Sequence, residues 1–126
     1  MAKFRGSKNS TLLKSAVSAA KGLIQAVRTE KKIRQVVLAM SVVTVFCVAA
    51  DVGYFEILMV IFSWVLVLIC EMFNTALEKA LDFASDKEYH PLIRDGKDYA
   101  SACTFISLVF AGSLALFVLA SRLSQP

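Results

Sequence analysis

Glu71, Asn74 and Glu78, in the stretch Glu71-Met72-Phe73-Asn74-Thr75-Ala76-Leu77-Glu78, follow directly on the apolar run Ile57–Cys70. At about 100° per residue, Glu71, Glu78 and Asp82 fall within roughly 20° of one line on a helix, with Asn74 about 60° to one side. An ionisable group at the edge of a membrane helix is costly and as a rule faces a bundle interior or a polar cavity. Carboxylates are the hard oxygen ligands that Mg²⁺ takes, commonly one or two together with phosphates and water. A carboxylate set deeper, where solvation is poor, can accept a proton from an alcohol. Lys97-Asp98 precedes a later apolar stretch, and a lysine there can hold phosphate oxygens as a point charge. Such parts suffice for phosphoryl transfer, in which positioning and charge neutralisation supply most of the catalysis.

The usual nucleotide motifs are missing: there is no GxxxxGK[ST], no GxGxxG, and no kinase HRD or DFG set. A nucleotide site in this chain is therefore one of its own kind. His90 is the single histidine and reads as a solvated hydrogen-bonding residue of a polar loop, not as a metal ligand or base. The acids Glu78, Asp82, Asp86, Glu88, Asp95 and Asp98, mixed with Lys79, Lys87, Arg94 and Lys97, also fit an ordinary solvated loop. For Asp86 and Asp95 that reading is preferred. For Glu71 it fails, because solvation alone gives no reason to hold a carboxylate at headgroup level.

Elements able to position these groups are legible in the hydropathy pattern. Met1–Ser10 is polar and read as mobile. Over Thr11–Arg28 the apolar residues Leu12, Leu13, Ala16, Val17, Ala20, Leu23, Ile24 and Val27 recur at helical spacing, while Lys14, Lys21 and Arg28 repeat every seven residues on another face. This pattern predicts an amphipathic helix over 11–28 lying on a membrane surface, cations toward lipid phosphates. A soluble, core-facing helix is the weaker alternative, since little soluble chain remains to pack against it. Three membrane helices follow, at about 34–50, 55–83 and 100–120. Asp51-Val52-Gly53 forms the first turn, with Gly53 breaking the helix. The second helix is longer than a bilayer core requires, so its last turns emerge from the membrane. Ser107, Ala111 and Ala115 recur every four residues on the third, a spacing that lets helices approach closely, within one subunit or between copies.

Composition agrees with a single membrane domain: 126 residues, 57% of them hydrophobic. Nine Lys/Arg precede residue 35 (Lys3, Arg5, Lys8, Lys14, Lys21, Arg28, Lys31, Lys32 and Arg34), against one acid, Glu30. With an apolar face alongside and membrane spans behind it, this basic segment suits anionic lipid and not nucleic acid. The Asp51–Glu56 connection has no Lys or Arg, whereas the second loop is read as carrying Lys87, Arg94 and Lys97. The positive-inside rule then puts the N-terminus and second loop in the cytoplasm and the C-terminus outside. No cleavable signal peptide is read at the N-terminus. Cys47, Cys70 and Cys103 sit in apolar segments without CxxC or Cys/His spacing, which leaves them as packing residues.

The order and spacing of ExxNxxxE (Glu71–Glu78), continuing to Asp82, then Glu88-Tyr89-His90, then Gly96-Lys97-Asp98, resemble the bacterial integral-membrane diacylglycerol kinases and their undecaprenol kinase relatives. Lys21-Gly22-Leu23 and Glu30 with Arg34 extend the likeness over nearly all of the chain after residue 10. The resemblance implies an all-α membrane protein of the bacterial inner membrane, one surface helix and three transmembrane helices per subunit. It also implies a homotrimer with active sites shared between subunits at the cytoplasmic edge. By position it implies Glu71 as the base for the lipid hydroxyl, and Glu30 and Glu78 as ligands of the Mg²⁺ that accompanies ATP. Asn74 becomes a site-orienting residue, and Glu88, Tyr89, His90, Lys97 and Asp98 nucleotide contacts. Arg34, Gln35 and Ser101 become contacts to the lipid substrate.

Two positions depart from the family pattern. Thr11 stands where members can carry an arginine reaching both substrates, with Lys8 as a substitute for it, and Ser18 stands where an aromatic ring can cover the adenine. Ala84–Lys87 is read as one residue longer than in some relatives. The expected activity is transfer of the γ-phosphoryl of ATP to diacylglycerol, giving phosphatidic acid. Ala100-Ser101-Ala102 leans that way, while Asn74-Thr75 and His90-Pro91 lean toward undecaprenol as acceptor. A non-catalytic membrane subunit with pore-lining acids is the reading of another class. A scaffold has no need of Glu30, Glu71, Glu78 and Lys97-Asp98 together on one side.

Overall fold

The computed structural model describes residues 11–125, so the polar segment 1–10, including Lys8, lies outside the described residues. The described residues form four α-helices and no strand: α1 (Leu12–Thr29), α2 (Lys31–Ala49), α3 (Tyr54–Ser85) and α4 (Pro91–Leu123). The last three are long and apolar enough to cross a membrane, which makes this a multi-pass membrane protein. At 1.5 Å per residue, the 19 residues of α2 reach about 29 Å, the thickness of a bilayer core. The 32 residues of α3 and 33 of α4 reach about 48 and 50 Å, so each overhangs the core by several turns.

Both overhangs lie at one end. The α2–α3 turn occupies one end of the bundle, and the α3–α4 turn, the start of α2 and the Glu30 corner occupy the other. α4 begins at Pro91, nine residues before the expected membrane segment. Arg94, Lys97 and Asp98, expected in a loop, are therefore helical, and the α3–α4 connection shortens to residues 86–90. The cause is local: Pro91 occupies the first helical position, and the His90 side chain caps the helix by accepting from Leu92 N–H at 3.2 Å. Proline there loses no helical hydrogen bond and presets φ.

Both turns use an aspartate in the left-handed region. Asp51 (φ 57°) reverses the chain after α2, and the Val52 N–H returns to the Cys47 carbonyl at 3.0 Å. Gly53, expected to make the break, has φ −59° and serves as the N-cap of α3. Asp86 (φ 51°) does the same after α3, with Lys87 N–H donating to the Asp82 carbonyl at 3.1 Å. Aspartate tolerates this conformation better than most side chains, and the return bonds satisfy helix-end carbonyls.

One stripe of α3 makes the core. Val60, Trp64 and Val67 are buried with Cys47 of α2 and with Ala111, Ala115 and Val118 of α4. Lipid supplies no hydrophobic drive between helices, so close packing over small residues holds them. Ser107, Ala111 and Ala115 are buried within the chain, and their spacing thus serves α3–α4 packing inside one subunit. α1 buries no residue. Leu12, Leu13, Val17, Leu23 and Ile24 remain exposed, an apolar face with no partner among the described residues.

Candidate active site

The buried stripe of α3 changes character without changing direction. Val60, Trp64 and Val67 continue at steps of four and three into Glu71 and Asn74, which are 5% and 3% exposed. These two are therefore packed as core residues although one is a carboxylate. Glu71 Oε1 and Asn74 Oδ1 are buried and make no hydrogen bond. A buried acceptor left unpaired is expensive. The Trp64 indole N–H farther along the stripe is also unpaired, but only at Glu71 and Asn74 do two acceptors lie a turn apart, an arrangement able to receive donors or a cation. Asn74 Nδ2 donates to Glu78 Oε1 at 3.4 Å, so the amide is oriented from the Glu78 end of the stripe.

Glu30 reaches the same place from another element. It is the single residue between α1 and α2, in extended conformation (φ −107°, ψ 113°). Arg34 stabilises this corner: its Nη1 donates to the carbonyls of Val27 at 3.2 Å and Arg28 at 2.8 Å, at the end where a helix favours cations. Arg34, expected along the lipid path, thus caps α1 here. Lys79 Nζ lies 3.0 Å from Glu30 Oε1, and Lys32 Nζ lies 4.0 Å from Glu78 Oε1. The hydrogen bond from Lys79 holds the Glu30 carboxyl below its ordinary value, against the opposing effect of partial desolvation. A groove of about 380 Å³ runs under α1 here, with Gly22, Glu30, Ile33, Thr75 and Lys79 in its walls.

A second polar group sits on the α3–α4 turn. Glu88, Tyr89, His90, Lys97 and Asp98 line one depression of about 330 Å³, together with Lys87 and Arg94. Asp82 pairs with Lys97 and so ties this group to α3 one turn beyond Glu78. The five residues expected as nucleotide contacts on this side are thus brought together by the helical start of α4. Among the described residues no hydrogen bond or ion pair joins them directly to Glu30, Glu71 or Glu78.

Other expected residues are placed apart. Thr11 caps α1 by accepting from Lys14 N–H at 3.4 Å, and Ser18 is exposed on α1. Twelve residues of helix put Ser18 about 18 Å from Glu30 along the axis, so neither meets the carboxylates within the chain. Gln35 and Ser101 are exposed on α2 and α4. Lys32 and Lys79 reach Glu78 and Glu30 at this site, and the sequence reading does not single them out. Their partners lie 46 and 49 positions away, and no local pattern announces such pairs.

The donor set fits Mg²⁺ delivered with a nucleotide. Glu30 and Glu78 come from different elements to one junction, their lysine partners are exposed, and a buried amide oxygen stands beside them. No group of three or more metal-ligating side chains occurs among the described residues. These carboxylates alone form no metal cage; Mg²⁺, which commonly takes one or two carboxylates, would need phosphate and water to complete its shell here.

Known proteins share this arrangement of sequence. A family profile described as prokaryotic diacylglycerol kinase matches residues 17–119. The diacylglycerol kinase of Pseudomonas aeruginosa is 37% identical over 87 residues, covering 69% of this chain and 70% of that protein. That of Helicobacter pylori strain J99 is 32% identical over 99 residues, covering 79% and 77%. That of Escherichia coli K12 is 33% identical over 100 residues, covering 79% and 81%. A lipid kinase needs a polar site where membrane helices leave the bilayer, and with profile and relatives spanning that site, the chain belongs to the prokaryotic diacylglycerol kinase family.

Proposed function

We propose that this chain transfers the γ-phosphoryl group of ATP, carried with Mg²⁺, to the free hydroxyl of diacylglycerol, giving phosphatidic acid and ADP. The observation that carries the reading is the continuation of the α3 core stripe into Glu71, Asn74 and Glu78, buried at its membrane end and progressively exposed beyond it. Glu71 takes the proton of the lipid hydroxyl as the oxygen forms its bond to the γ-phosphorus and the bond to the β-phosphate oxygen breaks. Its depth suits an alcohol presented from the bilayer, and water is largely excluded from its buried carboxylate. Asn74 orients Glu78, and Glu30 and Glu78 face the polyphosphate side. Bound Mg²⁺ supplies neutralisation of phosphate charge. Lys97, Asp98 and the Glu88–His90 turn hold the remainder of the nucleotide.

The membrane setting follows the same logic. α1 lies on the cytoplasmic surface of the bacterial inner membrane, its exposed leucines in the lipid and its cations at the phosphates. The Glu71 end is cytoplasmic and the C-terminus is outside. Copies associate as a homotrimer through the apolar surface that the three spans leave exposed, and the Thr11 end of α1 approaches the nucleotide of its own or a neighbouring subunit only in that assembly.

Purified protein in mixed micelles, given labelled ATP, Mg²⁺ and equal amounts of diacylglycerol and undecaprenol, tests this reading. Label is expected in phosphatidic acid. Label in undecaprenyl phosphate alone replaces the acceptor, and folded protein that labels neither lipid removes the kinase assignment.

A further inference from the structure

Lys32 and Lys79 occupy the two carboxylates on which the metal reading rests, in a crossed arrangement. α3 offers Lys79 to Glu30 at the α1–α2 corner, and receives Lys32 from the first turn of α2 on Glu78. The lysine side chains are 68% and 62% exposed. Exposed pairs of this kind are weak and their ammonium groups leave with little desolvation cost. The acceptors beside them are the opposite case: Glu71 Oε1 and Asn74 Oδ1 are buried, fixed by packing and unpartnered. The site therefore combines buried, packed acceptors with two exposed cations placed against its outer carboxylates.

We propose that Lys79 and Lys32 are exchangeable counter-ions, which hold Glu30 and Glu78 before nucleotide arrives and pass to phosphate oxygens of the triphosphate when those carboxylates turn to the divalent cation. The inference rests on Glu30 and Glu78 facing the metal, as set out above. The exchange replaces the Lys79–Glu30 hydrogen bond and the looser Lys32–Glu78 ion pair, at 4.0 Å, with lysine–phosphate and carboxylate–cation contacts, so each charge keeps a partner of opposite sign. Lysine suits the task because its head is a compact charge on a flexible stem.

Exchange has a signature that a structural clamp lacks. Removing the lysines frees the carboxylates, so the bare cation binds more tightly, while the metal–nucleotide complex loses phosphate contacts and binds more weakly. A clamp shifts both in one direction or neither. The full-length protein in detergent micelles is titrated with Mn²⁺ alone, read by its electron paramagnetic resonance, and then with Mn²⁺ plus a non-hydrolysable ATP analogue. Lys32→Ala/Lys79→Ala is expected to tighten Mn²⁺ binding about threefold and weaken the Mn²⁺–analogue complex about tenfold. Arginine at both positions is expected to bring both constants back toward wild type.

Parallel shifts, or two unchanged constants, overturn the exchange. Glu30→Gln/Glu78→Gln separates it from the reading beneath it. If that variant binds Mn²⁺ as wild type does, the metal assignment falls and the exchange with it. If it loses Mn²⁺ while the lysine variants leave both constants in place, the assignment stands and the exchange alone is rejected. Helix content by circular dichroism accompanies each variant, and the single lysine substitutions carry the same opposed signature should the double variant lose helix.

Discussion

At the end of the bundle that holds the α2–α3 turn, Arg122 of α4 donates to the Ala50 carbonyl and to Asp51 Oδ2, each at 3.2 Å, and to Gln125 Oε1 at 3.1 Å. The side chain thereby closes the helix ends, and the left-handed Asp51 that reverses the chain is also the residue it pairs with. At the other end Glu71 and Asn74 are buried with acceptor oxygens unfilled, and the ion pairs around them involve exposed lysines. The same helices thus finish in two manners. One end pairs the Arg122 side chain with the α2–α3 turn, while the other holds buried acceptors that the described residues leave unpaired, the end proposed above to bind nucleotide. Unpaired buried acceptors lower stability, and a ligand at this end, as proposed, would offset that cost.

That contrast breaks most visibly at Glu71. Glu71→Gln keeps the size and burial of the side chain but removes the proton acceptor. Turnover in the mixed-micelle assay is expected to fall by about a thousandfold, with ATP binding and helix content retained; a rate near that of wild type sinks the role as base. Glu78→Gln is expected next in size, raising the Mg²⁺ needed for half-maximal activity by roughly tenfold. An unchanged Mg²⁺ titration at normal turnover counts against Glu78 as the metal-facing carboxylate.

The closed end predicts the reverse pattern. Arg122→Ala leaves the Ala50 carbonyl and Asp51 without their donor and is expected to destabilise the bundle by about 1 kcal/mol, seen as a lower thermal midpoint in detergent, with turnover per folded molecule unchanged. A loss of turnover without loss of stability contradicts the division between the ends. The smallest effect concerns pH. Lys79 holds the Glu30 carboxyl below its ordinary value of 4.5, so the pair's contribution is fully present above that pH and disappears as pH falls through the lowered value. Lys79→Ala is expected to flatten the thermal midpoint's dependence on pH below about 5. An identical profile in the variant removes the pairing as its cause.

Much of this division is written in local pattern. The α3 stripe is periodic, so placing Glu71, Asn74 and Glu78 on one helix face needs nothing beyond 3.6 residues per turn. The amphipathic α1 and the three spans follow from hydropathy in the same way. The start of α4 is harder to see because Arg94–Asp98 is charged and contains a glycine, a composition that fits a loop equally well. The helical signal there is the His90-Pro91 cap, two residues long and easily outweighed by charge. Sequence points to Gly53 for the first turn because glycine is the usual left-handed residue, whereas the helix-end hydrogen bonds place Asp51 in that conformation.

Sequence by itself determined which helices form, which of their faces are apolar, and that acidic side chains stand where a membrane helix leaves the bilayer, because each of these depends on residues within a few turns of one another. Tertiary structure alone decided that Ser107, Ala111 and Ala115 pack against α3, that Lys79 and Lys32 answer Glu30 and Glu78, and that Arg122 closes the far end. Those pairings depend on how helices lie side by side, and side chains 46 to 72 positions apart meet only after packing has set the register between their helices.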